Sequence, residues 1–458
     1  MAPPNILLIT NDQHRFDFYE GGVIPGLRTP NISRLRAEGT TLSNSFSSCP
    51  LCVPTRFTWL YGLRASQGNG AWGDFDGRWP VHLRSMAHVL QHSGYHTALI
   101  GKLHSHSGLP NIDLADIKGE SLGRGFDEIT EMAGKSLVQY FDCNYTRYLA
   151  DKGLLKEYLS RLEERGAGHC EPLPFDEEDS MDAVIGRRVR RWLSEYDLEN
   201  PFFLHASFCN PHFPYDPVPE YAERYKPEDM PPPVGVDDPE KIQAHKLARA
   251  RYCGLIEQDD EEIGRLLEVL DDRGITEETV VIFGADHGDM MGYRDRRGKH
   301  EPYDPSARTP VVVRFPGVVP AGHVLTGPAE SIDIPCSILE ATGLDHVPGD
   351  LLPTSPGRSW WDYVRGECDD HRRWAYSEMG PWKMVCDEEW KYIHRSQEKN
   401  ELYHRAEDPH ELNNLIDSPE YRDRVSRMQG WIIESMSENI APPSQDLAGV
   451  NPFSQVET

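Results

Sequence analysis

Two cysteines in a C-x-x-C spacing, Cys49 and Cys52, are the first residues whose types and separation suggest chemistry. A zinc site would need a second pair of ligands, and the sequence offers only the weak candidates His104 and His106. A redox-active dithiol would belong to a thioredoxin-like arrangement of strands and helices, which the rest of the chain does not resemble. We therefore disfavour both interpretations without excluding them.

The residues that follow Cys52 favour a third interpretation. The run Cys52-Val53-Pro54-Thr55-Arg56 has the form C-x-P-x-R, with Leu51 before it and Leu60-Tyr61-Gly62 after it. This extended pattern resembles the motif of the sulfatase family, within the alkaline phosphatase superfamily, whose cysteine is oxidised to formylglycine by a separate formylglycine-generating enzyme. The resemblance implies that one hydroxyl of the hydrated aldehyde attacks sulfur, and that deprotonation of the other expels sulfate. It also implies that Arg56 holds the hydrated side chain.

Four polar residues at the ends of two predicted strands are the candidate metal ligands. Asp12 and Gln13 follow the first strand, and Asp286 and His287 follow a strand predicted over 279–283. The resemblance implies that these strand ends are neighbours, and that the four side chains bind one divalent cation together with the converted Cys52. Oxygen-rich ligation suits Ca²⁺ or Mg²⁺, and Ca²⁺ is the expected ion.

Two of these ligands depart from the commonest sulfatase pattern, which has a second Asp in place of Gln13 and an Asn in place of His287. Losing a carboxylate lowers the negative charge of the site, and an added imidazole favours a transition ion such as Mn²⁺. Gln and His at these places are similar to the branch that holds phosphonate monoester hydrolases, choline-sulfatase-like enzymes and some arylsulfatases.

Two lysines and two histidines are the candidate anion-binding residues. Gly101-Lys102-Leu103-His104 follows the strand 96–100, His212 follows the strand 202–206, and Lys299 follows the Asp286 loop. The resemblance implies that Lys102 holds a sulfate oxygen and that His104 takes the proton of the formylglycine hydrate. His212 and Lys299 would contact the leaving oxygen. Arg308, in an R-x-P lead-in to a strand, is interpreted as structural.

The apolar and amphipathic runs of the sequence predict the elements that position these residues. Strands are predicted at 5–10, 96–100, 202–206, 280–283 and 311–315, and helices at 31–38, 85–93, 181–196, 244–273 and 334–342. Alternation of strands and helices predicts an α/β fold with a mostly parallel central sheet sandwiched by helices, as in alkaline phosphatase-like proteins. Short strands at 374–378, 383–386 and 390–394 and a helix at 421–434 predict a smaller C-terminal α+β domain.

The predicted organisation is a large catalytic domain over 1–357, a small C-terminal domain over 358–440, and an extended or disordered tail over 441–458. Residues 105–175 are polar and irregular, so we expect an insertion there that shapes the pocket. Residues near the motifs that are candidates for the leaving-group pocket are His14, Arg15, Trp72, His106 and His300.

Composition limits the partners. The formal net charge of −27 repels a phosphate backbone, which argues against nucleic-acid binding, and leaves any anion site to local cations. No apolar run approaches the roughly 20 residues that cross a bilayer, so no membrane partner is expected. The start of the chain lacks a signal-peptide pattern and its nine cysteines have no regular spacing. We therefore expect a cytoplasmic location, unless a leader has been removed, and reduced thiols.

The function predicted from these motifs is hydrolysis of a sulfate monoester, such as a small sulfated sugar, an oligosaccharide sulfate, or an aryl or alkyl sulfate. The alternative is a phosphonate monoester or phosphodiester hydrolase with the same machinery, because both substrate classes carry one negative charge around a tetrahedral centre. An unmodified fold used only for binding is a third hypothesis. An oligomer is possible.

Overall fold

The apolar runs of the sequence form a central sheet whose strands lie between two layers of helices. A computed structural model describes residues 3–68, 79, 83–106, 112–344 and 355–438. The helices are α1 Pro30–Glu38, α2 Cys52–Tyr61, α3 Met86–His92, α4 Lys118–Leu122, α5 Asn144–Asp151, α6 Leu155–Arg165, α7 Met181–Glu195, α8 Pro219–Arg224, α9 Pro239–Asp272, α10 Asp304–Ala307, α11 Asp333–Ala341, α12 Trp361–Arg365 and α13 Arg422–Glu438.

The strands are β1 Asn5–Asp12, β2 Thr40–Leu42, β3 Ser45–Phe46, β4 His96–Gly101, β5 Ile112–Asp113, β6 Glu128–Glu131, β7 Phe141–Asp142, β8 Phe202–Pro211, β9 Thr279–Ala285, β10 Arg308–Thr309, β11 Val311–Arg314, β12 His323–Leu325, β13 Ala329–Glu330, β14 Ala375–Met379, β15 Trp382–Cys386, β16 Trp390–Arg395 and β17 Glu401–His404.

The central sheet has eight strands in the order β12-β2-β11-β9-β1-β8-β4-β6. The five strands from β9 to β6 run parallel to one another, and β11 is antiparallel to both β9 and β2. This mostly parallel sheet confirms the predicted fold class. Its connections bring strands that are far apart in the sequence side by side, with their carboxyl ends at one edge.

Alternate residues of β1 face the two helical layers. Leu7 and Ile9 lie in a core with residues of α1, α7 and α9, whereas Ile6 and Leu8 lie in a second core with residues of α2, α3, α11 and α12. A strand buried on both faces is apolar throughout, which is why the first strand has no polar alternation before Thr10. The sandwich therefore follows directly from the pattern of the strand.

The longest helix, α9, has 34 residues and begins before the predicted start at residue 244. Asp238 caps it, because its Oδ1 accepts a hydrogen bond from the backbone N–H of Glu240 at 2.9 Å, and Pro239 occupies the first turn. The early start was missed because the first turns are polar and carry little apolar periodicity. Neither this helix nor any other in the described ranges has the length and apolarity needed to cross a bilayer.

The expectation that 105–175 is irregular is wrong in one respect. Within it, β6 pairs in parallel with β4 and forms an edge of the central sheet. Only Ile129 and Glu131 of this strand are buried, so its apolar signal is weak, as expected for an edge strand. Helices α4 to α6 also lie in this region.

The C-terminal part of the described chain is a four-stranded antiparallel sheet, β14-β15-β16-β17, with α13 against one face. Its other face packs on Phe46, Leu51, Met290 and Tyr303 of the large unit. The smaller α+β unit is thus confirmed, with a fourth strand, β17, that was not predicted. The boundary at 357/358 stays a prediction, and the tail 441–458 lies outside the described residues.

Candidate active site

The order of the parallel strands gathers the predicted site residues at one edge of the sheet. Strands β9, β1, β8 and β4 are consecutive neighbours. Asp12 ends β1, Asp286 follows β9, His212 follows β8 and Lys102 follows β4. The pairing of Asn11 with Ala285 confirms that the ends of β1 and β9 are adjacent, as the sequence analysis expects. Ligand sites of open parallel sheets lie at this edge.

Cys52 lies at the first turn of α2, and its sulfur is the point on which the other groups converge. The Sγ atom lies 3.2 Å from His287 Nε2, 3.6 Å from Asp12 Oδ1 and 2.7 Å from Lys299 Nζ. The side chains of Asp12, Cys52, Asp286 and His287 are buried, and their ligand atoms all lie within 4.8 Å of one another.

The protonation of His287 suits metal ligation. Its Nδ1 lies 2.9 Å from the carbonyl oxygen of Gly288, which can only accept, so Nδ1 carries the proton and Nε2 has the lone pair. Burial lowers the pKa of His287 to about 4, despite the opposing attraction of Asp286. At neutral pH the ring is therefore a neutral ligand whose Nε2 faces Cys52 and both carboxylates.

Gln13 is the fourth predicted metal ligand. Its backbone lies in the left-handed region, with a φ of 69°. Its side chain is fully buried, and its Oε1 has no hydrogen-bond partner among the described residues. A buried amide oxygen without a donor is costly unless a cation completes it. The ligand atoms of Asp12, Asp286 and His287 lie at one buried point, and the backbone N–H of Gln13 donates to Asp286 Oδ1 at 2.9 Å. Together with the amide oxygen of Gln13, this donor set fits a divalent cation.

Arg56 ties this edge of the sheet together. Its Nε donates to Asp286 Oδ2 at 3.1 Å, and its Nη2 lies 3.4 Å from Asp12 Oδ2. Its Nη1 donates to the carbonyl oxygen of Lys102 at 2.6 Å and to Ser207 Oγ at 2.8 Å. These contacts align both candidate metal carboxylates. The predicted contact of Arg56 with a hydrated side chain at position 52 stays a prediction.

Lys102 forms an ion pair with Asp12 Oδ2, and both side chains are almost completely buried. Burial alone would raise the pKa of Asp12, but Lys102 and Arg56 hold it well below its ordinary value. Burial alone would lower the pKa of Lys102, and the attraction of Asp12 raises it instead. Both groups are therefore charged at neutral pH, and the predicted contact of Lys102 with a sulfate oxygen stays a prediction.

Lys299 lies between the thiol and a histidine. Its Nζ is 3.0 Å from His212 Nε2, while His212 Nδ1 lies 2.6 Å from the carbonyl oxygen of Phe213. Nδ1 is therefore protonated and Nε2 accepts from the ammonium group. Burial and the charge of Lys299 lower the pKa of His212 well below its ordinary value. His104 is buried at the end of β4 with a φ of 61°, and its role as a proton acceptor stays a prediction.

Lys135 is a residue of this region that the sequence analysis missed. Its Nζ donates to Asn210 Oδ1 at 3.1 Å and to the carbonyl oxygen of Pro214 at 2.8 Å, and it pairs with Asp216 at 2.6 Å. It therefore holds the loop that carries His212 on both sides. A lysine in a polar segment gives no signal of this role, because its partners are far away in the sequence.

The candidates for a leaving-group pocket have mixed outcomes. Both ring nitrogens of His14 are engaged within the first loop, by Asn11 Nδ2 at 3.1 Å and by the carbonyl oxygen of Phe18 at 2.9 Å. Arg15 pairs with Asp17 at 2.6 Å, and His106 Nε2 lies 3.0 Å from Ser121 Oγ. His300 is exposed, and Trp72 lies outside the described residues.

Comparisons with known proteins identify the family of the chain. A family model described as Sulfatase matches residues 4–344, and one described as N-sulphoglucosamine sulphohydrolase, C-terminal, matches residues 291–438. An arylsulfatase from Clostridium perfringens (strain 13 / Type A) is 30% identical over 465 residues, which cover 94% of each chain. The multifunctional alkaline phosphatase superfamily protein PehA from Trinickia caryophylli is 30% identical over 509 residues, which cover 94% of this chain and 95% of its own.

Among solved structures, the phosphonate monoester hydrolase of Agrobacterium radiobacter superposes with a TM-score of 0.79 at 21% identity. The match covers 95% of this chain and 96% of that one. At this level of identity the similarity establishes a common fold.

Proposed function

The chain belongs to the sulfatase family and is a sulfuric ester hydrolase, and from that premise we propose that it cleaves a sulfate monoester with formylglycine made from Cys52 and a divalent cation. The observation that carries the proposal is the convergence of two kinds of group on Cys52 Sγ. The buried cluster of Asp12, Asp286 and His287 approaches the sulfur together with the ammonium group of Lys299. An anion attacked at this point would lie between the cation held by this cluster and the ammonium group of Lys299.

Formylglycine at position 52 and a divalent cation would supply the bond-making chemistry. Formylglycine would supply a hydrated aldehyde with one hydroxyl to attack sulfur and a second through which sulfate leaves. A divalent cation, with Ca²⁺ as the first expectation and Mn²⁺ or Mg²⁺ as alternatives, would supply Lewis acidity to the sulfuryl oxygens. Asp12, Gln13, Asp286 and His287 would hold that cation beside residue 52.

The protein's own residues bind the anion and move protons. Lys102, charged and next to Asp12, would bind a sulfuryl oxygen, and the first turn of α2 adds the partial positive charge of a helix N-terminus. Lys299 would donate a proton to the leaving oxygen, because it is the protonated partner of neutral His212. His104 would take the proton that releases sulfate. Arg56 would keep the two carboxylates in place throughout.

The substrate proposed is a small sulfated sugar, an oligosaccharide sulfate, or an aryl or alkyl sulfate. Maturation would need a formylglycine-generating enzyme in the host. Because Cys52 is fully buried in the folded chain, its conversion would have to precede folding of this region. A cytoplasmic location and an oligomeric state stay predictions.

A second function, hydrolysis of a phosphonate monoester or phosphodiester, is favoured by Gln13 and His287. One carboxylate fewer and one neutral imidazole more give a less negative cation site, which suits a phosphoryl centre as well as a sulfuryl centre. The relatives and the solved structure named above include both chemistries.

One experiment separates the two functions. Protein from its own host is digested, and mass spectrometry of the peptide with residue 52 establishes the conversion; an unconverted Cys52 would contradict the proposed mechanism. The converted protein is then given an aryl sulfate and an aryl phosphonate monoester with the same leaving group, each with Ca²⁺ and with Mn²⁺. A clearly higher kcat/KM for the sulfate supports the sulfatase proposal, and a higher value for the phosphonate supports the second function.

A further inference from the structure

The amide of Gln13 has two unlike ends, and only one of them can ligate a cation. Its Nε2 donates to Asp289 Oδ2, and its Oε1 is the buried atom without a partner among the described residues. Because Gln13 follows Asp12 directly and its backbone N–H is bonded to Asp286 Oδ1, its amide is a candidate ligand only if the oxygen, and not the NH₂ group, is left free for the cation. Something must therefore select the orientation of this amide.

The rest of Gln13 is held firmly. Its backbone N–H donates to Asp286 Oδ1 at 2.9 Å, and its carbonyl oxygen accepts from the hydroxyl of Tyr252. The same hydroxyl accepts from the backbone N–H of Arg15 at 2.8 Å. These hydrogen bonds fix the main chain of Gln13 on both sides, so what remains to be set is which end of its side-chain amide points in which direction.

Asp289 sets the orientation of this amide, because its carboxylate is held in place and its oxygens accept hydrogen bonds. Its Oδ1 accepts from the backbone N–H groups of Met291 and Gly298, both at 2.8 Å. Its Oδ2 accepts from the hydroxyl of Tyr215 at 2.6 Å and from Gln13. Asp289 is fully buried. The only end of the Gln13 amide that can face such an oxygen is the NH₂ end.

We propose that Asp289 is a positioning residue that sets the cation affinity of the site by holding the Gln13 amide with Oε1 toward the ligands Asp12, Asp286 and His287. Gln13 then serves as a neutral oxygen ligand where a carboxylate would otherwise stand. The inference rests on the proposed metal site, and it explains how a glutamine is accommodated there. Asp289 lies two residues after the predicted ligand His287, and both of its carboxylate oxygens already accept hydrogen bonds.

The substitution Asp289→Asn reverses this logic. The two backbone donors keep the oxygen of the new amide at the Oδ1 position, so its NH₂ group takes the place of Oδ2. That NH₂ group would donate to Gln13 Oε1 and turn the Gln13 NH₂ toward the cation. We expect the dissociation constants of Ca²⁺ and Mn²⁺ to rise about 10- to 100-fold.

A second substitution should restore binding. In the double variant D289N/Q13E, the new carboxylate accepts from the new amide with one oxygen and presents the other to the cation. We expect Ca²⁺ and Mn²⁺ to bind within about threefold of the wild-type affinity. Q13E alone places two carboxylates face to face, so without metal its unfolding midpoint should lie below that of the double variant. Tyr215→Phe is the matched control, since it removes one donor but leaves Asp289 an acceptor, and its affinities should stay near wild type.

The measurement is calorimetric titration of metal-stripped full-length protein with Ca²⁺ alone and Mn²⁺ alone, with thermal unfolding in EDTA. Wild-type affinity in D289N, or no gain in the double variant over D289N, would overturn the inference and leave the proposed metal site intact. If D289N does not fold, the double variant is compared with Q13E, and a double variant that is no more stable and binds no tighter overturns it. Failure of the wild type to bind either ion would overturn both the metal site and the inference.

Discussion

Two buried clusters of charge, at opposite ends of the segment 299–304, are built from the same numbers of charges and behave differently. The strand-end cluster contains three cations and two carboxylates: Arg56, Lys102, Lys299, Asp12 and Asp286. The C-terminal cluster, which joins the small sheet to the large unit, also contains three cations and two carboxylates: Arg308, Lys391, Arg405, Asp304 and Glu411. Counting charges therefore does not separate a catalytic cluster from a structural one.

The C-terminal cluster satisfies itself. Lys391, which is fully buried, pairs with Asp304 and with Glu411, the latter at 2.5 Å. Asp304 also lies 3.2 Å from both Arg308 and Arg405. Burial alone would raise the pKa of Asp304, but these cations, Lys391 first, lower it well below its ordinary value. The charges are matched by protein partners.

The strand-end cluster leaves bonding capacity for a ligand. Lys299 Nζ lies 2.7 Å from Cys52 Sγ and 3.0 Å from His212 Nε2, and neither of these contacts is an ion pair with a carboxylate. The Oε1 of Gln13 has no donor among the described residues. The two clusters differ in what their groups face: the cations of the C-terminal cluster face carboxylates of the protein, whereas Lys299 lies against a thiol and an imidazole. A buried polar atom without a partner lowers stability, and we propose that a cation satisfies the Oε1 of Gln13 and that an anion binds Lys299.

The largest effect on activity should come from substitution of Cys52, on which the other groups converge. Cys52→Ala removes the proposed nucleophile, so we expect kcat/KM for an aryl sulfate to fall about 10⁴-fold or more, with little change in the unfolding midpoint. The control is Cys49→Ala, which removes the other buried thiol of the C-x-x-C pair and should keep activity. Equal losses in both variants would contradict the assignment of Cys52.

Lys391→Met tests the C-terminal cluster. It leaves Asp304 and Glu411 buried without their shared cation, so we expect the free energy of unfolding to fall by about 3–5 kcal/mol, with kcat/KM of the folded fraction within about tenfold of wild type. Urea unfolding and steady-state kinetics measure the two quantities. A variant with full stability and lost activity would show that this cluster serves catalysis.

Lys102→Ala is the converse variant. Asp12 keeps Arg56 at 3.4 Å but loses its buried partner, so we expect the free energy of unfolding to fall by up to about 3–5 kcal/mol. The quantity that separates the two clusters is kcat/KM of the folded fraction, which should fall about 10²- to 10³-fold because an anion contact is lost. The same two assays apply. Normal turnover with a large loss of stability would place Lys102 with the structural charges.

The smallest effect concerns Glu131, a carboxyl group as buried as those of the two clusters but bonded to the hydroxyl of Ser121 at 3.1 Å. Burial raises its pKa to about 7, and the attraction of Arg124 does not offset this. The protonated form is therefore favoured by folding. Its stabilisation is complete below pH 4.5, the ordinary value, and is lost as the pH rises through about 7.

We expect Glu131→Gln to remove this pH dependence and to be more stable than wild type at pH 8, by no more than about 3 kcal/mol. Urea unfolding at pH 5 and pH 8 measures it. Glu128→Gln, in the same strand but with an exposed side chain, is the control and should leave the dependence unchanged. A Glu131→Gln variant that still loses stability between these pH values would contradict the assignment.

Much of the candidate site could be predicted because its residues belong to short sequence motifs at the ends of strands. The run from Cys52 to Arg56, the pairs Asp12-Gln13 and Asp286-His287, and Lys102 each identify themselves by residue type beside an apolar strand. The two-sided burial of β1 also has a local signature. Lys135 could not be found in this way, because its hydrogen bonds reach Asn210 and Pro214, about which a local pattern carries no information.

By itself the sequence determined which residue types are proposed to attack, to ligate a cation and to bind an anion, and that strands and helices alternate, since these properties belong to residues and to short periodic runs. Only the tertiary structure decided the strand order β9-β1-β8-β4, the edge strand β6, and the orientation of Gln13 by Asp289. These features depend on contacts between residues distant in the chain. Long-range contacts arise from packing and from the satisfaction of buried polar groups in three dimensions, which no single segment specifies.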